Sequence, residues 1–313
     1  MATGFGQNVW AGFGEESSYG TPVTRTKFVE IVSENIRLVK APVKRGPLYD
    51  EAQRYWIPGR KSVEGGVRAE MLYEGFELPL KHLLGAGVTS SLGSGAYQHT
   101  FTPTLQPPTA LTIEVNRDVA SFVYHGCQIQ SVTLENAVDG VVQFAMDVLG
   151  EDETTAIAST PSFPGDKPIH YAQTVTITAG SDTVQAESVR LTIANALAGD
   201  RYKLGSRLRR GLGRGGKRVV SGSFVAEFED FTQYNNYVSE TEKALTISWQ
   251  GGLISGSNYY KLTCSLPRVL ITGDTPTVGG PGPIKASVNF DAFYVPGAAD
   301  ELTVMLVNTV ASI

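Results

Sequence analysis

Two stretches that lie far apart in this chain repeat one pattern of residues, and this repeat constrains the fold more than any other feature. The first stretch runs from Val63 to Phe76 and the second from Val220 to Phe231. At one constant offset, four residues of the first stretch recur in the second: Val63, Gly65, Ala69 and Glu70 match Val220, Gly222, Ala226 and Glu227. Self-similarity over such a distance indicates a duplicated domain and not a short-period solenoid.

The length and composition agree with two β-rich domains. The chain has 313 residues, which is enough for two domains that each bury a core. Hydrophobic residues make up 42% and charged residues 18%, which is typical of a globular protein. The many Gly, Tyr and Phe residues, together with Thr and Val, favour strands and turns. A net charge of -5 gives no support to a sequence-specific DNA-binding protein.

The order of elements predicts a mainly β fold with two tandem antiparallel β-sandwich or barrel domains. Residues 1–26 are predicted to form an irregular N-terminal arm, residues 27–160 the first domain and residues 161–313 the second. The segment Gly150–Thr155 is expected to end a strand. Each repeated stretch should begin as a strand and end in a short amphipathic helix, whose apolar faces are Phe76, Leu80 and Leu83 in the first half and Phe231, Tyr234 and Val238 in the second.

A long basic arm precedes each repeated stretch. The first arm (residues 41–61) and the second arm (residues 194–218) both contain Gly and are expected to bind a partner, because long structureless loops are uncommon in compact domains. Nucleic-acid contact, docking on an acidic surface of a neighbouring subunit and a merely solvated loop are all open, and we favour docking. The candidate contact residues are Lys44, Arg45, Arg54, Trp56, Arg60, Lys61, Arg201, Tyr202, Arg207, Arg209, Arg210, Arg214, Lys217 and Arg218.

Signals of catalysis are weak. The segment Gly211–Arg218 satisfies the Gly-x-x-x-x-Gly-Lys pattern, but a phosphate-binding loop needs a helix after it and Ser or Thr after the Lys. Arg218 stands at that position and a strand is predicted next, so a flexible basic turn is favoured over a nucleotide site. The histidines (His82, His99, His125 and His170) lack metal-ligand spacing, and Glu151–Glu153 is read as a solvated turn or ion-pair partner. We expect no enzyme activity, metal or cofactor.

The cysteines and the termini indicate a protein made and folded in a cytoplasm. Cys127 and Cys264 lie in apolar, strand-like runs at similar places in the two halves, which predicts two buried free thiols. The N-terminus lacks the basic and apolar regions of a signal peptide. No apolar run is long enough to predict a membrane span.

Several segments together resemble the tail tube proteins of tailed bacteriophages, in particular the long-tailed, siphovirus type. The similarity covers nearly the whole chain, and it is the order of the segments that carries it. The segments are Gly14–Pro22, Trp56–Arg60, Leu80–Gly85, His99–Pro103, Gly150–Thr155, Asp200–Tyr202, Ala226–Asp230 and Gly273–Gly280. The resemblance implies a structural virion protein whose rings of β-domains stack into a hollow tube through which the genome leaves the capsid. It also implies that the arms lie across neighbouring subunits or rings.

Further expectations follow from this resemblance. A duplicated chain would fill six places with three copies, so we expect a trimeric, pseudo-hexameric ring ahead of a true hexamer. Acidic side chains should line the bore and repel passing double-stranded DNA, and the candidates are Glu64, Glu70, Glu227 and Glu229. Tail terminator, distal tail and tape measure proteins are the implied partners. The alternative is a β-sandwich adhesin or carbohydrate-binding module of the virion.

Overall fold

The computed structural model describes residues 4–156, 158–273, 275–278, 280–297 and 300–313. Over these residues the protein is mainly β, with two short helices, as the sequence predicts. The elements of the first half are β1 (Val9–Glu15), β2 (Lys27–Glu30), β3 (Ser33–Glu34), β4 (Arg37–Arg45), β5 (Tyr55–Glu70), α1 (Glu77–Leu84), β6 (Gly85–Gly93), β7 (Ala96–Pro103), β8 (Leu111–Arg117), β9 (Ser121–Ala137), β10 (Gln143–Gly150) and β11 (Asp152–Ala156). Those of the second half are β12 (Thr174–Ala179), β13 (Asp182–Val184), β14 (Ala186–Ala194), β15 (Val219–Glu227), α2 (Thr232–Val238), β16 (Glu242–Ser255), β17 (Asn258–Ile271), β18 (Lys285–Ala292) and β19 (Thr303–Asn308).

The strands form one large antiparallel sheet system in which the two halves are continuous. Strands β4, β5, β10, β9, β14, β15 and β18 lie side by side in that order, and the pairing of β9 with β14 joins the halves. At this junction the hydroxyl groups of Thr133 and Thr192 are 3.2 Å apart. The first part of β9 also pairs with β8 and β11, and β8 carries the sheet on to β1 and β2. Buried apolar side chains of both halves form one contiguous core.

The prediction of an irregular arm over residues 1–26 is wrong for β1. Strand β1 pairs with β2 on one side and β8 on the other, and it buries Trp10 and Phe13. Its glycines reflect close packing and not flexibility. A Cβ atom added at Gly14 would lie 2.5 Å from the carbonyl oxygen of Thr24, so only glycine lets the backbones approach this closely.

The first arm was also predicted to be irregular, and this prediction is wrong. Strands β4 and β5 extend through it as a long hairpin that turns between Arg45 and Tyr55. A register shift between Ala41 and Val43 accommodates Pro42, which cannot donate a ladder hydrogen bond. The second arm, by contrast, contains no strand or helix after Ala194 and before Val219.

Two shorter predictions also need correction. The segment Gly150–Thr155 does not simply end a strand, because β11 begins within it and pairs with β9. The two cysteines are buried free thiols, as predicted, but they are not at matching ladder positions. Leu111 on β8 pairs with Cys127, whereas Leu245 on β16 pairs with Leu266.

Strand β19 joins the second half to the first. It pairs with β17 on one side and with β7 of the hairpin β6–β7 on the other. At the end of β19 the buried Asn308 donates to the carbonyl oxygen of Tyr73 at 2.8 Å and to Glu77 Oε1 at 2.7 Å. Its Oδ1 lies 3.0 Å from Nε2 of the buried His99. Asn308 thus supplies hydrogen-bond partners to buried polar groups of three other residues.

We expect Asn308→Ala to lower the free energy of unfolding by about 2–4 kcal/mol, because buried groups on Glu77 and His99 lose their partners. The matched control is Asn289→Ala on the exposed side of β18, which should change stability by about 0.5 kcal/mol or less. Urea denaturation of both variants gives the comparison. Equal losses in the two variants would contradict this role of Asn308.

A second polar contact holds β1 against α1. Lys81 Nζ donates to both carboxylate oxygens of Glu15, at 2.9 and 2.8 Å, and His82 Nε2 lies 3.5 Å from Glu15 Oε1. The interactions with His82 and Lys81 outweigh partial burial and lower the pKa of Glu15 to about 2. Because this folded-state pKa is below the ordinary value of 4.5, the ionised carboxylate stabilises the fold above pH 4.5.

The stabilisation by Glu15 should be lost as the pH falls from 4.5 towards 2, where the carboxylate becomes protonated. We therefore expect Glu15→Gln to have a lower Tm than the parent protein at pH 7 and a much smaller deficit at pH 2. Thermal denaturation monitored by circular dichroism measures both. Glu30→Gln on β2 is the control and should show no such pH-dependent difference. A Glu15→Gln deficit that is constant with pH would refute the linkage.

Candidate functional site

The hairpin of the first arm projects from the sheet and exposes apolar side chains. Tyr55, Trp56 and Ile57 on β5 and Val43 on β4 are all exposed, with Trp56 at 66%. A groove of about 570 Å³ lies beside them and is lined mainly by apolar atoms and basic residues. An apolar surface framed by positive charge is typical of a contact surface for another macromolecule.

The candidate residues of the first arm occupy this hairpin, and most face solvent. Arg45 contacts the Tyr55 hydroxyl, Arg54 bonds to Asp50 at 2.6 Å, and the Arg60 guanidinium lies over the ring of Tyr202. Lys44 is exposed. Lys61 differs from the others, because it forms an ion pair with Asp152 of β11.

The second arm folds over the first half of the same chain. Arg209 is buried, and it donates to the carbonyl oxygen of Gly150 at 3.2 Å and lies 3.4 Å from Glu64 Oε1. Arg207 Nε donates to the carbonyl oxygen of Gly59 at 2.7 Å. The two halves are therefore held together by charged side chains as well as by strand pairing.

The end of the second arm contacts α1 and the loop after β7. Arg218 pairs with Glu301 at 2.9 Å and donates to the carbonyl oxygen of Leu84 at 3.1 Å. Arg214 donates to the carbonyl oxygen of Thr104 at 3.1 Å, and its burial, reinforced by the neighbouring Arg218, lowers its pKa. The remaining candidates of this arm, Arg201, Tyr202, Arg210 and Lys217, are exposed or half-buried.

These contacts argue against a phosphate-binding loop at Gly211–Arg218. Strand β15 begins directly after the segment, whereas such a loop needs the N-terminus of a helix to face the phosphate. Arg214 and Arg218 are turned towards carbonyl oxygens and Glu301, so they are not directed at a common anion. Over the described residues there is also no group of three or more His, Cys, Asp and Glu side chains that could hold a metal ion.

Both cysteine thiols are buried and unreactive. Burial raises the pKa of the Cys264 thiol to about 12 and raises that of Cys127 as well, which disfavours the reactive thiolate form. In the part of the chain that the structure describes, neither helix has the length and apolarity needed to cross a membrane.

One continuous polar face covers the outward side of the strands that join the two halves. Directly paired residues form a row across six strands, from Arg68 on β5 through Thr133 and Thr192 at the junction to Asp291 on β18. Along each strand, the residues that flank this row point inwards and are buried. We define the polar face as Arg68, Glu70, Thr133, Glu135, Gln143, Ala145, Asp147, Arg190, Thr192, Ser221, Ser223, Glu227, Asn289 and Asp291. Five of these are acidic and two are basic, and a third basic residue, Lys285 on β18, lies at the edge of the face opposite Glu227.

The four acidic candidates from the sequence do not share one environment. Glu70 and Glu227 are exposed on the polar face. Glu64 lies on the same side of β5, but Arg209 of the second arm contacts its carboxylate. Glu229 is exposed but follows β15, so it lies outside the polar face.

Sequence reasoning missed the other acidic members of this face. Glu135, Asp147 and Asp291 lie on β9, β10 and β18, between residues that point into the core. The alternation of apolar and polar residues in these strands was the signal that could have found them.

The helix α2 also differs from what the sequence predicts. It forms where expected, and the Phe231 ring makes T-shaped, edge-to-face contacts with the rings of Phe228 and Tyr234. However, Phe231 and Val238, at the two ends of the predicted apolar face, are exposed. The corresponding face of α1, formed by Phe76, Leu80 and Leu83, is buried as predicted.

Comparison with known proteins identifies the family of this chain. A search of curated proteins found no match to the chain. The sequence model of the family described as "Phage tail tube protein" matches residues 6–292, which is nearly the whole chain. The chain therefore belongs to the phage tail tube protein family, whose members are structural proteins of the virion tail.

Proposed function

We propose that this chain assembles into trimeric, pseudo-hexameric rings that stack into the tail tube of a long-tailed, siphovirus-type phage. The tube conducts the genome into the host cell, and the chain itself has no catalytic role. Family membership supports the structural role. The observation that supports the ring is the repetition of one set of strand pairings in both halves of the chain.

The two repeated stretches have matching partners and matching registers. In the first half, β5 pairs with β10 so that Val63 is opposite Gly150, and in the second half β15 pairs with β18 so that Val220 is opposite Ala292. In each half the repeated glutamate is opposite the first residue of the partner strand. Glu70 is opposite Gln143 of β10, and Glu227 is opposite Lys285 of β18. Such agreement favours a duplicated building block.

Close approach of a neighbouring backbone explains the repeated glycine in both stretches. A Cβ atom at Gly65 would lie 2.4 Å from the carbonyl oxygen of Asn35 on the neighbouring strand segment. A Cβ atom at Gly222 would lie 2.3 Å from the carbonyl oxygen of Arg190 on β14. The glycine is needed in both halves because the adjacent backbone approaches too closely for a side chain.

Other ladders repeat as well. Strand β11 pairs with the start of β9, with Asp152 opposite His125, and β19 pairs with β17 in the same way, with Thr303 opposite Ser265. Strands β1 and β2 correspond to β12 and β13. A chain with two equivalent units, joined by one strand pairing, can close a ring through head-to-tail contacts of the same kind. Three copies then fill six places.

The polar face is our candidate for the surface that lines the bore. It is continuous across both units, it carries more acidic than basic residues, and its other members are uncharged. Screening limits repulsion of phosphates to about 8 Å at physiological salt, so a bore only slightly wider than DNA would feel this charge. Glu70 and Glu227 are the members of the original candidate set that fit this role best.

The arms, the partners and the location follow from the same proposal. The exposed residues of both arms contact neighbouring subunits or rings of the same protein. The tail terminator and distal tail proteins close the two ends of the tube, and the tape measure protein occupies its lumen. The chain is synthesised in the cytoplasm of the bacterial host and functions in the virion tail.

Negative-stain electron microscopy of the purified chain should show tubes or stacked rings, and end-on averages should show six lobes built from three copies. Native mass spectrometry of single rings gives the number of chains. A monodisperse monomer would refute the proposal and would favour the adhesin or carbohydrate-binding alternative. Six chains in a ring would retain the tube but refute the pseudo-hexamer.

Glu70→Lys should convert the bore from a repelling to a binding surface for DNA. Tubes of this variant are expected to bind short duplex DNA more tightly than parent tubes at low salt, measured by fluorescence anisotropy, with the difference lost as salt rises. Glu30→Lys on β2 carries the same change in charge outside the polar face and is the control. Equal DNA binding by the two variants would show that Glu70 does not line the bore.

A further inference from the structure

The two helices occupy equivalent places in the halves but have opposite environments. Phe76 precedes α1 and Phe231 precedes α2 as the N-cap residue, and Leu83 and Val238 each follow seven residues later. Phe76 and Leu83 are each 1% exposed, whereas Phe231 is 63% and Val238 59% exposed. The apolar surface of α2 is therefore uncovered in the single chain, and such a surface marks a contact site.

The second arm of the same chain contacts the corresponding end of α1. Asn195, at the start of this arm, donates to the carbonyl oxygen of Leu83 at 2.9 Å. Arg218, at its end, donates to the carbonyl oxygen of Leu84 at 3.1 Å. The second arm thus bonds to backbone carbonyl groups of the last turn of α1, whereas the apolar face of α1 packs within the first half, where Phe76 contacts Phe144.

The first arm is the counterpart of the second arm in the first half. It contacts Tyr202, Arg207 and Asp152, but within the described ranges it makes no hydrogen bond or ion pair to either helix. The strand pair β4–β5 that forms the first arm corresponds to the pair β14–β15 that flanks the second arm. Arg37 on β4 is opposite Glu64, and at the matching position Thr192 on β14 is opposite Ser221. Over the described residues, β3 and β4 pair only with β5, so their outer edge is open. The edge of β14 is instead paired to β9.

The first arm and α2 are complementary in charge and in polarity. The arm exposes Tyr55, Trp56 and Ile57 beside a row of basic residues, with Lys40 at its base and Lys44 beyond it. The ends of α2 carry exposed acidic residues: Glu229 and Asp230 precede it and Glu240 follows it. Opposite charges around an apolar centre favour association and set its orientation.

We propose that the first arm of one copy of this chain covers α2 of the next copy in the ring. This places the first arm against α2 of the next chain as the second arm lies against the last turn of α1 within one chain. Trp56 and its apolar neighbours pack on Phe231 and Val238, and the basic residues of the arm face the acidic ends of α2. The inference rests on the proposed function and names the surface through which neighbouring subunits bind.

Two substitutions on opposite sides of this contact test it, Phe231→Asp on α2 and Trp56→Asp on the first arm. Each should raise the protein concentration needed for ring or tube formation by at least about tenfold, because an aromatic side chain that becomes buried on assembly is replaced by a charge. Both residues are exposed in the single chain, so the Tm of the unassembled variants should stay close to that of the parent protein. Val119→Asp, which replaces an exposed apolar residue in the β8–β9 turn, is the control and should assemble normally.

Sedimentation and negative-stain microscopy measure the assembly threshold. If the parent protein forms rings and either aspartate variant assembles at the parent concentration, this inference is overturned while the proposed function stands. If the parent protein forms no rings at any concentration, the proposed function itself fails.

A cross-linking measurement needs no substitution and decides the proposal even if a variant misfolds. Carbodiimide treatment of assembled parent tubes joins neighbouring ammonium and carboxylate groups without a spacer. We expect peptides that link Lys40 or Lys44 to Glu229, Asp230 or Glu240, and mixing isotopically labelled with unlabelled chains should show that the links are between chains. Tubes that give other inter-chain links but none between these two regions would refute the contact.

Discussion

The backbone pairing between β9 and β14 is the interaction on which the rest of this structure depends. It converts two sheets into one, and it places the polar side chains of both halves on one outward face while their apolar neighbours share one core. Side-chain alternation has a period of two, so a shift of one residue in this ladder would turn the acidic and hydroxyl groups of one half into the core. The register at Thr133 and Thr192 therefore fixes both the packing of the protein and the composition of its polar face.

Buried charged groups then hold the irregular segments against this sheet. The buried carboxylate of Glu16 accepts hydrogen bonds from the Thr112 hydroxyl at 2.9 Å and from the backbone amides of Gly126 and Gly20, each at 2.8 Å. Glu114 is also buried, and it binds Ser159 of the segment between the halves. A buried carboxylate is tolerated where several donors satisfy it, and removing those donors would leave an uncompensated charge. These groups therefore specify where the N-terminal segment and the connection between the halves must lie.

Much of the fold could be read from the sequence, because strands and short helices leave local patterns. The alternation from Val142 to Val148 predicted β10, and the spacing of Phe76, Leu80 and Leu83 predicted the buried face of α1. Long-range pairing left no such signal. Strand β1 was missed because Gly12 and Gly14 suggest a loop, whereas in the fold they permit close contact with the segment from Val23 to Phe28.

The same limit applies to the candidate site. The basic residues of the second arm are visible in the sequence, but their distribution between solvent and the first half depends on tertiary contacts. Arg209 and Arg218 are held inside the chain, while Arg210 and Lys217 are not. Glu70 and Glu64 are alike in sequence context, yet only the second is contacted by an arginine. The sequence predicts the same kind of apolar face for α2 as for α1, although only the face of α1 is buried. Amphipathic spacing shows that one side of a helix is apolar, but it does not show whether the same chain or a neighbouring molecule covers that side.

The position of β7 has a consequence for the order in which the polypeptide folds as it emerges from the ribosome. The hairpin β6–β7 can form early from neighbouring residues, but the strand that pairs with the free edge of β7 is β19, made roughly two hundred residues later. Pairings between residues so distant in the chain form slowly, and an exposed edge is open to unwanted association until they do. The nascent protein therefore passes through a stage in which its first half is folded but carries a vacant strand position, and chaperones or the low concentration of nascent chains must protect that edge until synthesis reaches β19.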